Sequence, residues 1–229
     1  LNNIHDSVRL GEYVVIEDGV TIGENVVIGH QTTVLKGTII EDNVMVGCNC
    51  ILGIKPHVNK RIRKSTVENV LVIREGARLG NLVTIYAGAY ISKDVFIGDH
   101  ASIRENTSIG EKTIIGRCAT VELNTMIGSN CTIQTQAYIT GDTFLEDNVF
   151  IGPCVSMAND KYMGAAQYAL KGPYIKAGAK IGNNASLLPG ITIGEQSIIG
   201  AGSVVTKNIP NKITAVGNPA KRLNRGEVE

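Results

Sequence analysis

The sequence predicts an all-β chain wound into a coil of very short strands, and three observations predict it. An aliphatic residue returns at every sixth position, a small or β-branched residue follows it four places later, and Gly, Asn or another polar residue fills the places between. A period of six fits neither the 3.6 residues of a helical turn nor the simple alternation of a long strand. With β-branched residues so common, it describes strands interrupted by a corner in every unit.

The units come in three runs. The first steps by sixes from Ile4 through Leu10, Ile16 and Ile22 to Leu52, the second from Ile73 to Met157, and the third from Ile175 to Val205. Within each run the phase never slips. The companion position holds Val26, Thr32, Val44, Ala101, Thr107, Ala119, Cys131, Ala137, Val149, Ala185 and Ser197, so each side of a coil sends one large and one small group inward. The second to fourth places of each unit suit corners, where Gly and Asn tolerate positive φ.

These features resemble the hexapeptide-repeat family, over nearly the whole chain. The resemblance implies a left-handed parallel β-helix of triangular section, three hexads to a coil, in a single domain spanning 1–229. About ten coils, each about 4.8 Å from the next, are expected. Residues 53–72 and 158–174 break the rhythm and are expected as loops thrown out from the prism, and 206–229 as a tail leaving the coil and frayed at its end. The first loop is basic, with Lys55, Lys60, Arg61, Arg63 and Lys64. A solvated surface and a phosphate-binding loop are equally compatible with that charge.

Composition narrows the functional classes. The 229 residues hold 22 Lys and Arg against 21 Asp and Glu, so no bulk charge draws the chain to nucleic acid or to an anionic membrane. No segment approaches the roughly 18 apolar residues of a membrane span, and LNNIHDSVR lacks the apolar core of a secretory signal, so a cytoplasmic protein is expected. Five scattered cysteines, Cys48, Cys50, Cys118, Cys131 and Cys154, are expected as free thiols.

With three hexads per coil, residues eighteen apart become vertical neighbours. The stretch GDHASIREN, from Gly98 to Asn106, is then the most chemically loaded segment in the chain. His100 stacks over Cys118, Gln136 and Cys154; Asp99 over Arg117; Arg104 over Glu122; Asn106 over Asn124, Asp142 and Asp160. Arg104–Glu122 and Asp99–Arg117 read as ladder pairs contributing about 0–1 kcal/mol each. His100 and Glu105 are left facing outward without a partner, which makes them candidates for chemistry, with an exposed corner histidine as the plain alternative.

A second, narrower resemblance concerns function. LLPGITIGEQSIIGAGSVVTKNIPNKITAVGNPAKRL, towards the C-terminus, is similar to the last coils of hexapeptide acyltransferases, which bind acyl-CoA along the prism. It implies coenzyme contacts at Ala201, Gly202, Val205, Lys207, Asn218, Pro219, Lys221 and Arg222, with acetyl-CoA as the commonest donor. IQTQAYITGDTFLEDNVFIGPCVSMANDKYM, Ile133 to Met163, resembles acyltransferases acting on the amine of nucleotide-linked amino sugars. That likeness points to Gln134 and Gln136 near the amine, and the columns add Arg104, Asn124 and Asp160 for sugar or nucleotide. His100, or failing that Glu105, would accept the ammonium proton, with Asp99 orienting it. The loop 158–174 contains no histidine, whereas the sugar O-acetyltransferases of the family carry their base there. An amine needs less help than a hydroxyl, so N-acylation is preferred, with O-acetylation or a non-catalytic trimeric module as alternatives. The four histidines, His5, His30, His57 and His100, lack the close pair of a γ-type carbonic anhydrase, and no metal is expected. The family's habit of parallel trimers, together with outward Leu82, Tyr86, Tyr90, Leu123, Met126, Tyr138, Phe144 and Phe150, implies a homotrimer.

Overall fold

The structure, a computed structural model, describes residues 2–57, 59–60, 62–67, 69–167 and 169–223. Three parallel sheets run side by side, of ten, twelve and ten strands, and successive strands pass from the first to the second to the third sheet and back to the first. Almost every strand is two residues long, because the corner that follows leaves no room for more. The result is a three-sided parallel β-helix, consistent with the left-handed form expected from the hexads. Its corners are named I (first to second face), II (second to third) and III (third to first).

Register follows the eighteen-residue rule. Ser102 pairs with Thr120, and Thr120 in turn with Tyr138; Tyr90 pairs with Ser108, and Ser108 with Met126. Each coil is hydrogen-bonded to the next through its strands, as in Ser102 N–H to Ala119 O at 3.0 Å and Arg104 N–H to Val121 O at 2.8 Å. The aliphatic ladder fills the interior: Ile22, Ile28, Ile40, Ile73, Ile97, Ile103 and Ile133 are all buried, as are their small companions Val26, Ala101 and Ala119. Leu10 of the first coil is half exposed, since that coil is covered by a neighbour on one side only.

Most buried threonines in the companion position donate to a carbonyl fifteen residues ahead, while Thr143 donates three residues back to Thr140 O at 2.6 Å. Thr32 donates to Gly47 O at 2.9 Å and Thr113 to Gly128 O at 2.8 Å, each fifteen residues ahead at the corner of the next coil. Thr38 is buried with an unpartnered hydroxyl, and fifteen residues ahead of it lies Gly53, where the chain departs into the first loop at φ 88°. The missing hydrogen bond is a local consequence of that departure.

The irregular segments differ from expectation at their edges. The strand Ile51–Ile54 runs two residues into the first predicted loop and Val72–Ile73 begins inside its end; Tyr174 likewise already belongs to the strand Tyr174–Ile175. The tail does not leave the coil after Val205. Ile209 bridges to Ile193, the strand Thr214–Val216 extends the second sheet, and Lys221–Arg222 turns back against it antiparallel. Buried Ile209 and Ala215 continue the core, so the coil goes on for most of another turn with an altered period. The expected fraying concerns 224–229, and Arg61 belongs to the basic-loop expectation; both lie outside the described residues.

Both loops emerge at corner III. The first folds forward over the following coils: Ser65 Oγ donates to Glu105 Oε1 at 2.5 Å, Asn106 Nδ2 donates to Thr66 O at 3.0 Å, and Arg63 forms a two-pronged ion pair with Asp142 at 2.5 and 3.0 Å. It is a strap, and Arg63 is held by a carboxylate of its own chain. The apolar groups expected to form an association surface divide among places: Tyr90, Met126 and Phe144 on the first face, Phe150 on the second, Tyr138 on the third, Leu82 at corner II and Leu123 at corner III. They do not make one patch. On the first face Met126 and Phe144 are exposed beside Tyr174, and on the second face Phe96 and Ile114, paired in register, are both exposed.

Candidate active site

The predicted site residues fall at two corners. Corner II holds Asp99, His100, Gln134 and Gln136, and a shallow groove of about 440 Å³ there is lined by Asp99, His100, Arg117, Cys118, Thr135 and Gln136, closed above by Asn81 and Leu82. His100 and Gln136, two coils apart, therefore face the same space. Arg104, Glu105 and Asn124 lie at corner III instead, with Asp160 at the root of the second loop.

Stacking explains how the groove forms. At corner II the first place of the turn is glycine in coil after coil, including Gly98 and Gly116. A Cβ on Gly98 would lie 2.7 Å from Arg117 N, and one on Gly116 2.6 Å from Thr135 N, so the coils close up only because these residues lack side chains. Gln134 interrupts that glycine column. The third place lies in left-handed backbone, at φ 57° for Leu82, 59° for His100, 55° for Cys118, 61° for Gln136 and 57° for Cys154. That conformation directs each side chain out of the corner, so His100, Cys118, Gln136 and Cys154 form a vertical row. Cys154 Sγ lies 3.4 Å from Gln136 Oε1, whereas the His100 side chain has no hydrogen bond or ion pair among the described residues and is exposed.

Asp99 does not orient His100. Its Oδ1 accepts the Asn81 backbone N–H at 2.7 Å and the Asn81 amide at 3.2 Å. Asp42 and Asp147 serve Glu24 and Ser129 in the same way at corner I, each at 2.7 Å. Asp99 is thus a corner cap, and no ion pair joins it to Arg117 among the described residues.

Glu105 requires a larger correction. It is fully buried, not outward-facing, because the strap covers it. Arg104 donates to both of its oxygens, at 2.8 and 3.0 Å, and Ser65 to one of them. Burial by itself would push the carboxyl up, but the hydrogen bonds from Arg104 and Ser65 outweigh it and hold Glu105 below the usual carboxylate range. An ionised, enclosed carboxylate with its oxygens engaged is no proton acceptor for a substrate. Arg104 is its neighbour in sequence, but Ser65 comes from a loop forty residues away, which column reading could not supply.

The remaining corner III candidates are tied into the same structure. Arg104 also reaches Glu122 at 3.4 Å, as the column predicted, and lies over the Tyr86 ring at 4.9 Å. Asn124 bridges Asn106 at 3.3 Å and Asp142 at 3.2 Å. Asp160 accepts the backbone N–H groups of Tyr162 and Gly164, both at 2.8 Å.

Of the expected coenzyme residues, Ala201 and Gly202 are exposed at corner II in the last coil, in register with Asp99 and His100 respectively. Val205 is fully buried at the inward place of its hexad, so its side chain is enclosed by the coil. Lys207 is exposed at corner III, and Asn218, Pro219, Lys221 and Arg222 are exposed on the terminal hairpin. The groove also takes in Cys118 and Arg117, which the columns placed under His100 and Asp99 without naming them as site residues.

The comparisons with known proteins agree with the geometry. Residues 3–36 and 172–207 match the family described as bacterial transferase hexapeptide (six repeats), and residues 37–55 the hexapeptide repeat of succinyl-transferase. The fold and its repeats thus define a three-sided β-helical protein built of hexads. The matched segments carry the hexapeptide repeat of that family. A Staphylococcus aureus protein named as an acetyltransferase is 51% identical over 59 residues, 25% of this chain and 30% of that protein. The bifunctional protein GlmU of Carboxydothermus hydrogenoformans is 28% identical over 221 residues, 94% of this chain and 44% of its own length. This chain therefore spans less than half the length of either relative. A Bacillus cereus structure, titled as an acetyltransferase, is 30% identical with TM-score 0.38, covering 62% of this chain and 77% of that one.

Proposed function

We propose that this chain is a CoA-dependent N-acyltransferase that moves an acyl group, acetyl in the commonest case, to the amine of a nucleotide-linked amino deoxysugar. The observation that carries the reading is the shared groove: an unengaged imidazole, His100, faces the same space as the Gln136 amide, on the corner that ends five coils later in the small residues Ala201 and Gly202. At about 4.8 Å per coil that separation is about 24 Å, a run suited to an extended pantetheine arm.

The amine nitrogen attacks the thioester carbon, a C–N bond forms and the C–S bond breaks. His100 accepts the proton released from nitrogen, and the departing thiolate is protonated to free CoA. The Gln136 amide donates to the developing oxyanion, a position where a preorganised donor contributes most. Asp99 holds the corner in shape; Glu105 and Arg104 fix the strap. Lys207, Lys221 and Arg222 offer cations for the coenzyme phosphates. A homotrimer, with the groove walled by a neighbouring prism, and a cytoplasmic location belong to the same reading; among the described residues no helix is long and apolar enough to cross a membrane.

The test is steady-state transfer from acetyl-CoA to a panel of nucleotide-linked amino sugars, followed by thiol release. Transfer to amines and not to the matching hydroxyl sugars supports the reading. Transfer to hydroxyl acceptors alone, or no CoA binding at all, defeats it.

A further inference from the structure

The second loop has a recess of its own. A cavity of about 480 Å³ lies between Lys161 and Met163 of the loop, Lys171 at its return, and Leu188, Pro189 and Thr206 of the last coils. Its walls are fixed by backbone hydrogen bonds: Lys171 N–H to Asn159 O at 3.0 Å, and Gly190 N–H to Lys171 O at 2.9 Å. The two ends of the loop are thus tied to each other and to the coil beneath.

Charge in this recess is unbalanced. Asp160 is the acidic member, but each of its oxygens accepts a loop N–H, from Tyr162 and from Gly164. Lys161 and Lys171 are exposed and form no ion pair among the described residues; the Lys161 ammonium lies 5.7 Å from the Tyr162 ring centroid. The first loop offers a contrast, since Arg63 there is neutralised by Asp142. Beside the two lysines, Leu188 is 39% exposed and Met163 is 91% exposed in left-handed backbone at φ 51°. Two lysines without an ion pair among the described residues therefore stand over an apolar floor within preformed walls.

We propose that this recess is a binding subsite for a phosphoanion attached to an apolar or planar body, with Lys161 and Lys171 on the phosphate oxygens and Leu188 and Met163 against the body. The site does not depend on acyl transfer; only the source of its ligand rests on that reading. A nucleoside diphosphate of the acceptor and the phosphates of coenzyme A share the required chemistry.

Calorimetry on the full chain separates the sources, using uridine diphosphate and coenzyme A as probes against wild type and K161Q/K171Q, with circular dichroism confirming the fold. A loss of at least about tenfold in affinity for uridine diphosphate alone assigns the recess to the acceptor, and the same loss for coenzyme A alone assigns it to the donor. A loss for both supports a shared phosphoanion site. Equal binding by wild type and variant, or no binding of either probe by wild type, overturns the proposal. H100N leaves the recess intact and should bind as wild type does, so full turnover by H100N would sink the role of His100 while leaving the subsite standing.

Discussion

Corners II and III are built from the same hexads and treat their side chains in opposite ways. At corner III the left-handed positions are Gly19, Gly37, Gly88, Asn106, Asn124, Asp142 and Gly190, residues that adopt this backbone readily, and their polar groups are bonded to one another or to the strap. At corner II five consecutive coils place Leu82, His100, Cys118, Gln136 and Cys154 in the same conformation. Apart from His100, these residues are poorly suited to it, each at a cost of about 1 kcal/mol. Corner III satisfies its side chains for structure; corner II tolerates strain and leaves its side chains facing a groove. Strain retained over five coils, with the Cys154–Gln136 contact the one side-chain bond in the row among the described residues, marks the corner whose side chains serve something outside the chain.

The sharpest way to break this contrast is at His100. H100N keeps a residue at home in left-handed backbone, so stability should hold while turnover falls by at least about a hundredfold. A pH–rate profile unchanged by the substitution would remove His100 from proton transfer. Corner III should behave in the reverse manner. E105Q leaves Arg104 beside a buried neutral amide and should lower unfolding free energy by on the order of 3 kcal/mol, measured by denaturant titration, with the pH–rate profile of the remaining folded enzyme unmoved.

Acid sharpens the same distinction. Because the Glu105 carboxyl lies below its ordinary range in the folded protein, its contribution is fully present above the unfolded value of about 4.3 and is lost as pH falls through the lower folded value. Wild type should lose stability across that window more steeply than E105Q. Parallel acid curves would contradict the strap's dependence on an ionised Glu105. The smallest effect concerns strain itself: C118N should stabilise by up to about 1 kcal/mol and N124C should destabilise by a similar amount. Equal shifts of one sign would mean that the two corners do not differ in the way their backbone suggests.

Much of the fold was legible because a six-residue period is a local property repeated thirty times. Ile22, Ile97 and Ile133 are inward for the same reason, and any one of them predicts the others. The column rule correctly brought His100 to Gln136 and Arg104 to Glu122, since both pairs lie within one uninterrupted run. It failed at Glu105, one of whose partners, Ser65, sits in a loop with no period, and at Asp99, whose ladder partner turned out to be a backbone N–H and not the Arg117 side chain. Val205 was named from likeness to a family segment, while its own hexad position already placed its side chain in the core. The tail was underestimated because the period changes after Val205, and a coil can continue on pairing that no longer repeats every six residues.

The sequence by itself determined the coil, its inward ladder, and the vertical alignment of residues eighteen apart, because each depends on spacing along the chain. Only the tertiary structure decided which polar groups remain free. That depends on where two aperiodic loops come to rest: the first covers corner III and encloses Glu105, while corner II is left bare with His100 and Gln136 facing the same groove.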